Sequence, residues 1–135
     1  MTTKITTTLG AASLGIAVLL TLFTIPCASG ASITVNVPFP FQVESKTLLA
    51  GDYHFDIDRM SRIVNIHGPG GANAVAAFIT TLATVPHTSS TDTHIVFDKV
   101  GDTYTLSELW EPSADGVLVH ATKGPHEHHI LHVKK

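Results

Sequence analysis

The chain has 135 residues, with 8 Lys and Arg against 11 Asp and Glu, so its formal net charge at pH 7 is −3 with neutral histidines. Its only adjacent basic pair is Lys134 and Lys135 at the very end. An acidic chain without a basic patch argues against a nucleic-acid-binding protein.

The first thirty residues have the three parts of a secretory signal peptide. A short n-region over 1–4 carries one lysine, an almost unbroken run of small and apolar residues covers 9–25, and three small residues follow at 28–30. The sequence therefore predicts a signal peptide over residues 1–30. The rest, 31–135, is predicted to be one exported domain, periplasmic or extracellular, with a histidine-rich C-terminal segment.

Cleavage is expected after Gly30 or Ala31, which would remove Cys27, the only cysteine. The mature domain would then have no disulfide, no thiol catalysis and no thiolate metal site. An uncleaved membrane anchor is the alternative, because the apolar run is close to the roughly 18 to 20 residues that a span needs. A lipid-modified cysteine is disfavoured, because Ile25 and Pro26 precede it where small residues are usual.

Strict alternation between residues 33 and 43 predicts the first β-strand. The apolar positions are Ile33, Val35, Val37, Phe39, Phe41 and Val43. Such a period of two places all six on one face of an extended segment that covers a core, with Phe39 and Phe41 as core anchors. Pro38 and Pro40 lack the amide donor of a central strand. We therefore expect this strand to lie at a sheet edge or to bend between two sheets.

Further short, β-rich runs follow, separated by turn residues. They lie at 53–57, 63–67, 74–85, 94–100, 103–110 and 117–121. The clearest hairpin joins 94–100 to 103–110 through Gly101 and Asp102, a pair that suits a two-residue type I′ or II′ turn. This spacing predicts an all-β fold: a single β-sandwich or partly open barrel of seven to eight mainly antiparallel strands.

Three segments carry a resemblance to a known family. They are the run 33–43, the sequence Lys-Thr-Leu-Leu-Ala-Gly-Asp-Tyr from Lys46, and Val96-Phe followed by Gly101-Asp-Thr-Tyr-x-Leu-Ser-Glu-Leu-Trp. Together they resemble a family of small exported all-β proteins of soil bacteria, for which no activity is established. Its members usually have proline where Leu49 stands, and many end in a Lys and Arg-rich segment. The resemblance implies export and a β fold, and it carries over no catalytic residue.

Nine histidines are the unusual feature of the composition, and four of them lie in His126-Glu-His-His-Ile-Leu-His132. As a strand, this segment would project His126, His128 and His132 to one face, with alternate residues roughly 6.5 to 7 Å apart. As a helix, His128 and His132 would form an i, i+4 pair. Either geometry can hold zinc, copper or nickel through neutral imidazole, so these three residues are the candidate metal ligands. A solvated histidine-rich terminus is the alternative interpretation.

No catalytic set is recognisable in the sequence. The glycine-rich loop at 68–73 lacks the Lys-Ser and helix that follow in a phosphate-binding loop, and no serine has a nucleophile-elbow setting. We therefore expect an exported non-catalytic β-domain, a structural or interaction protein of the cell envelope or exterior. Its partner would be an unknown protein or envelope component, with no membrane span after signal cleavage. The alternative is a divalent-metal-binding protein that uses the histidine-rich C-terminal segment, with further contributions from His54, His67, His94 or His120.

Overall fold

A computed structural model describes residues 30–82, 92–112 and 114–133, which form eleven β-strands and one short 3₁₀ turn. The strands are β1 (Ala31–Val37), β2 (Phe41–Val43), β3 (Lys46–Leu48), β4 (Gly51–Asp58), β5 (Ile63–His67), β6 (Asn73–Phe78), β7 (Thr80–Thr81), β8 (His94–Val100), β9 (Thr103–Trp110), β10 (Val117–Leu118) and β11 (Glu127–His132). The 3₁₀ turn covers Pro69–Gly71. The predicted signal peptide lies outside the described residues except for Gly30. None of the described residues forms a helix long and apolar enough to cross a lipid bilayer.

The strands build two sheets, which confirms the predicted all-β sandwich. One sheet has the order β1-β4-β5-β6, and the other has β11-β8-β9-β10-β7 with β2 and β3 attached. Pairing is antiparallel except for a parallel contact between Gln42 of β2 and Thr105 of β9. Seven of the described strands have five or more residues, and the other four have only two or three. The sheets remain separate and do not close into a barrel.

The chain changes sheets at Pro38–Pro40, as the alternating segment predicted. β1 is an edge strand that pairs with β4 in the first sheet, whereas β2 pairs with β3 and β9 in the second. The two prolines cannot donate backbone hydrogen bonds, so a ladder cannot continue through them. The segment 74–85 was predicted as one strand, but the structure divides its described part into β6 and β7. Those two strands belong to different sheets, so a second crossing occurs at Ile79.

Aromatic side chains from both sheets meet in the core. Phe41 is 1% exposed, and its ring contacts those of Tyr53 and Phe97 edge-on, with centroids 5.0 and 5.3 Å apart. Phe39 is only half-buried and stacks on Tyr104 at the rim of the core, with centroids 4.1 Å apart. The alternation therefore identified both anchors, but only Phe41 is fully enclosed.

Strand β8 is buried on both faces. Ile95 and Phe97 point into the core, while Val96 and Asp98 on the outer face are only 5% and 2% exposed. The link from β10 to β11, residues 119–126, covers this outer face. Its backbone is fixed to β9, because Val119 N donates to the Ser107 carbonyl at 2.7 Å. Thr122 and His126 of this link lie beside the Asp98 carboxylate, so the link helps to shield it from solvent.

Candidate metal centre

Asp98 stands at the centre of a cluster that also contains His126 and His128. The antiparallel pairing of β8 with β11 places Asp98 directly opposite His128. A buried carboxylate costs free energy unless hydrogen bonds or a cation compensate its charge. The partners of Asp98 are therefore the chemically informative contacts of this face.

His128 and His126 approach the same oxygen of Asp98. The Nδ1 atom of His128 lies 2.9 Å from Oδ1, which is a hydrogen bond, and the Nε2 atom of His126 lies 3.8 Å from it. The two imidazole rings are nearly perpendicular, with centroids 4.9 Å apart. His128 reaches the carboxylate from β11, and His126 reaches it from the end of the covering link.

The orientation of His126 is fixed from behind by the backbone. Its Nδ1 atom lies 2.8 Å from the carbonyl oxygen of Gly124. A carbonyl can only accept, so Nδ1 must carry the proton, and in the neutral ring the lone pair is on Nε2. Gly124 has φ +90°, a conformation that favours glycine and that aims its carbonyl at the ring. A backbone carbonyl behind a histidine is a typical partner of metal-ligating imidazoles.

The ligand atoms of Asp98, His126 and His128 all lie within 4.8 Å of one another. In a tetrahedral site with bonds of 2.0 to 2.2 Å, neighbouring ligand atoms are about 3.4 Å apart. A small rotation of the histidine rings closes this difference, and the 56% exposed side chain of His128 has solvent beside it into which the ring can rotate. One carboxylate and two imidazoles suit zinc, copper or nickel.

The electrostatics keep Asp98 ionised. Burial alone raises the pKa of the Asp98 carboxyl, but hydrogen bonding by the Thr122 and Ser107 hydroxyls and the charge of His126 outweigh burial and lower it. The Ser107 hydroxyl has a single proton, and the His120 carbonyl, 3.1 Å away, competes with Asp98 for it. The buried Thr122 hydroxyl lies beside the Asp98 carboxylate, toward which its proton can point.

Solvent reaches the cluster beside His126. This residue borders an open cleft of about 390 Å³, which is also lined by Lys99, Pro125 and Glu127. The cleft provides a path by which a hydrated ion can approach from outside. Three protein ligands would leave a fourth tetrahedral position for water or another small ligand.

The third histidine named from the sequence, His132, lies elsewhere. It is at the opposite end of β11, paired with His94, and the two rings have centroids 5.8 Å apart. Four residues of extended strand separate it from His128, about 13 Å. The strand interpretation is confirmed for Glu127–His132, in which His128 and His132 share the outer face, while His126 lies just before the strand. The structure brings His126 and His128 together, and places His132 too far away for the same ion.

Sequence reasoning missed Asp98. The only available signal was a carboxylate at the centre of the apolar run His94-Ile-Val-Phe-Asp-Lys-Val100, where a two-sided buried strand leaves no solvent for a charge. Its partner lies 30 residues away along the chain, so the pairing of β8 with β11 had to be known first.

The chain matches no family model, no curated protein and no solved structure. Its function is therefore inferred from the residues and their geometry.

Proposed function

We propose that this protein is an exported, non-catalytic β-sandwich domain that binds a divalent transition metal ion, zinc, copper or nickel, through Asp98, His126 and His128. The observation that carries the proposal is the convergence of one buried carboxylate and two imidazoles within 4.8 Å. Two of the three ligands are the histidines that the sequence suggested.

Preorganisation is the first support for this function. Asp98 is held by the central pairing of β8 and by the covering link, and it is only 2% exposed. His126 is oriented by the Gly124 carbonyl, so its Nε2 lone pair is directed toward the carboxylate. Only His128 must give up its hydrogen bond to Asp98 when an ion enters. Little conformational entropy is lost on binding, which favours affinity.

Charge is the second support. A carboxylate with two neutral imidazoles has a net charge of −1, which a divalent ion converts to +1. The ion also replaces the contacts of His126 and His128 with Asp98 by short coordinate bonds. Proton competition follows, because imidazolium has no lone pair for a metal. The site should therefore bind near neutral pH and release its ion in mild acid.

The experiment is titration calorimetry of the tag-free protein with Zn²⁺, Cu²⁺ and Ni²⁺ at pH 7.5. We expect Asp98→Asn and His126→Ala to weaken binding at this site by at least about tenfold, the usual minimum even for a residue that only supports a ligand. His120→Ala removes an exposed histidine outside the cluster and should bind like the parent.

His132→Ala separates this site from a tail site made of histidines alone. If the ion binds to Asp98, His126 and His128, the affinity of His132→Ala for the ion should equal that of the parent. If Asp98→Asn binds as tightly as the parent, the proposed site is wrong, and a simultaneous loss in His132→Ala would assign the ion to the tail.

A further inference from the structure

We propose a second, independent metal site on the outer face of the other sheet, formed by His54, Asp56 and His67. The carboxylate of Asp56 is shared between two imidazoles: Oδ1 lies 2.9 Å from Nε2 of His54, and Oδ2 lies 3.0 Å from Nε2 of His67. The site would take a divalent transition metal ion, with zinc as the test ion. It does not rest on the function proposed for the Asp98 cluster, because it uses different residues and a different sheet.

The backbone of β4 and β5 fixes this arrangement. His54 and Asp56 are two residues apart on one face of β4, and His67 of β5 is the direct partner of His54. The intervening Phe55 points the other way and is fully buried in the core. All three ligands thus project from paired strands of a packed sheet, which limits their freedom before any ion binds.

Each imidazole nitrogen already lies within hydrogen-bond distance of its own oxygen of Asp56, so an ion has to bring the two nitrogens closer together. Around an ion with bonds of about 2.1 Å, adjacent donors are about 3.0 to 3.4 Å apart, depending on whether the geometry is octahedral or tetrahedral. The two nitrogen to oxygen distances at Asp56, 2.9 and 3.0 Å, are close to that range. An ion in front of the carboxylate requires mainly that the two rings turn toward each other, from a centroid separation of 6.1 Å.

Thr34 supports His54 from behind. Its Oγ1 atom lies 2.7 Å from Nδ1 of His54, and Thr34 is the direct neighbour of His54 in the pairing of β1 with β4. A hydroxyl can either donate or accept. When Nε2 coordinates an ion, Nδ1 carries the proton and donates to Thr34, which fixes the tautomer and the ring orientation. Thr34 is therefore a positioning residue of this site.

Exposure sets the two sites apart. The side chains of His54 and Asp56 are 42% and 45% exposed, whereas Asp98 is 2% exposed. Water and salt screen an exposed carboxylate more strongly than a buried one. The Asp56 site should therefore bind more weakly than the Asp98 site, and the chain should hold two ions with separate affinities.

The test is the number of Zn²⁺ ions bound by the full, tag-free chain at pH 7.5, measured by calorimetry in the parent and in Asp56→Asn. We expect Asp56→Asn to bind one ion fewer. Asp52→Asn is the matched control: it removes a carboxylate from the same face of β4, but that carboxylate accepts a hydrogen bond from Asn36 at 2.8 Å and forms no ion pair with a histidine in the described part of the chain. Equal ion loss in both variants would mean diffuse surface charge and would overturn the site.

The two proposed sites fail in distinguishable ways. If only the Asp98 site is wrong, Asp98→Asn keeps the parent's ion count while Asp56→Asn still loses one ion. If Asp56→Asn keeps the parent's count and affinities, the Asp56 site is refuted whatever Asp98→Asn does. Both substitutions preserve side-chain size, and circular dichroism checks that each variant retains its β-sheet spectrum.

Nuclear magnetic resonance of the imidazole nitrogens supplies a second readout. On addition of Zn²⁺, the Nε2 signals of His54 and His67 should shift, and His54 should adopt the tautomer with the proton on Nδ1. Thr34→Val should weaken this binding by about tenfold, and Thr34→Ser, which keeps the hydroxyl, should restore it. Unshifted Nε2 signals in both rings at saturating Zn²⁺ would overturn the proposal.

Discussion

The buried carboxylate of Asp98 accepts a hydrogen bond from His128, its direct cross-strand neighbour, at 2.9 Å. The pair joins a central strand to the edge strand β11, across 30 residues of sequence. Any ion that binds Asp98 and His128 also binds the C-terminal strand to the sandwich, so metal affinity and docking of β11 are coupled.

Acid should weaken the metal-free fold through Asp98. Burial raises the pKa of its carboxyl, but hydrogen bonding by Thr122 and Ser107 and the charge of His126 lower that pKa by more than burial raises it. The folded pKa therefore lies below the unfolded value of about 3.9. The folded state therefore binds fewer protons in this range. The stabilisation is complete above the unfolded pKa and is lost as pH falls through the folded pKa.

Denaturant unfolding between pH 7 and pH 2.5, with a chelator present, measures this effect. Below about pH 4 the free energy of unfolding of the parent should fall more steeply than that of Asp98→Asn, which has no carboxylate to protonate. Parallel pH profiles for the two proteins would contradict the prediction.

Phe41→Ala should remove a large part of the core. Its ring is 1% exposed and lies between Tyr53 and Phe97, so its loss leaves a cavity that the two sheets cannot easily close. We expect a cost of about 3 to 5 kcal/mol in the free energy of unfolding, measured with denaturant. Phe78→Ala is the control, because Phe78 is 76% exposed and should change stability by only about 0.5 kcal/mol. Similar small losses in both variants would contradict the core assignment of Phe41.

Local signals in the sequence predicted most of the fold. Alternation identified the strands because the side-chain period of an extended backbone is two. The Gly101-Asp102 hairpin forms as predicted, and Gly101 alone of the pair has a positive φ, +59°, which fits the type II′ alternative. The two prolines marked the change of sheet. Each of these features is decided by residues close together in the chain.

The features that build the candidate site depend on contacts between distant residues. The burial of Asp98 requires the covering link 119–126 to cross the outer face of β8, and a register shift next to Val96 adjusts the pairing of β8 with β9. The histidine segment named two of the three clustered residues. The choice of Asp98 does not follow from local pattern, because it depends on which strand β11 joins, whereas the separation of His132 from His128 follows from the extended backbone alone.

Gly116→Ala should destabilise the protein through Trp110, its only tryptophan. A Cβ atom at position 116 would lie 2.7 Å from two atoms of the indole ring. The ring has little room to retreat, because its Nε1 donates to Glu108 at 2.7 Å and it stacks against His94. Overpacking of this kind costs about 1 to 3 kcal/mol.

Tryptophan fluorescence during denaturant unfolding reports both the stability and the environment of Trp110. The matched control is Gly68→Ala, whose added Cβ would meet its nearest atom at 3.6 Å, an ordinary contact. We expect the control to remain close to the parent. A Gly116→Ala variant with the parent's midpoint and emission spectrum would show that the indole moves aside without cost.

Gly124→Ala should weaken metal binding at the Asp98 cluster without removing any ligand. Gly124 has φ +90°, which strains an L-residue, and its carbonyl accepts the Nδ1 proton of His126. When that carbonyl moves, His126 can adopt the tautomer with the proton on Nε2. That nitrogen then has no lone pair with which to coordinate the ion.

Titration calorimetry at pH 7.5 should show an affinity about 10 to 100-fold lower for Gly124→Ala, the usual effect of losing a group that orients a ligand. Gly70→Ala is the control, since it also has a positive φ, +79°, and open space around it, but lies in the turn before β6, away from the cluster. At pH 5.5 both the parent and Gly124→Ala should bind more weakly than at pH 7.5, because protons occupy the imidazole lone pairs. Equal affinities at the two pH values would mean that the histidines are not the ligands, and parent-like binding by Gly124→Ala at pH 7.5 would mean that the Gly124 carbonyl does not position His126.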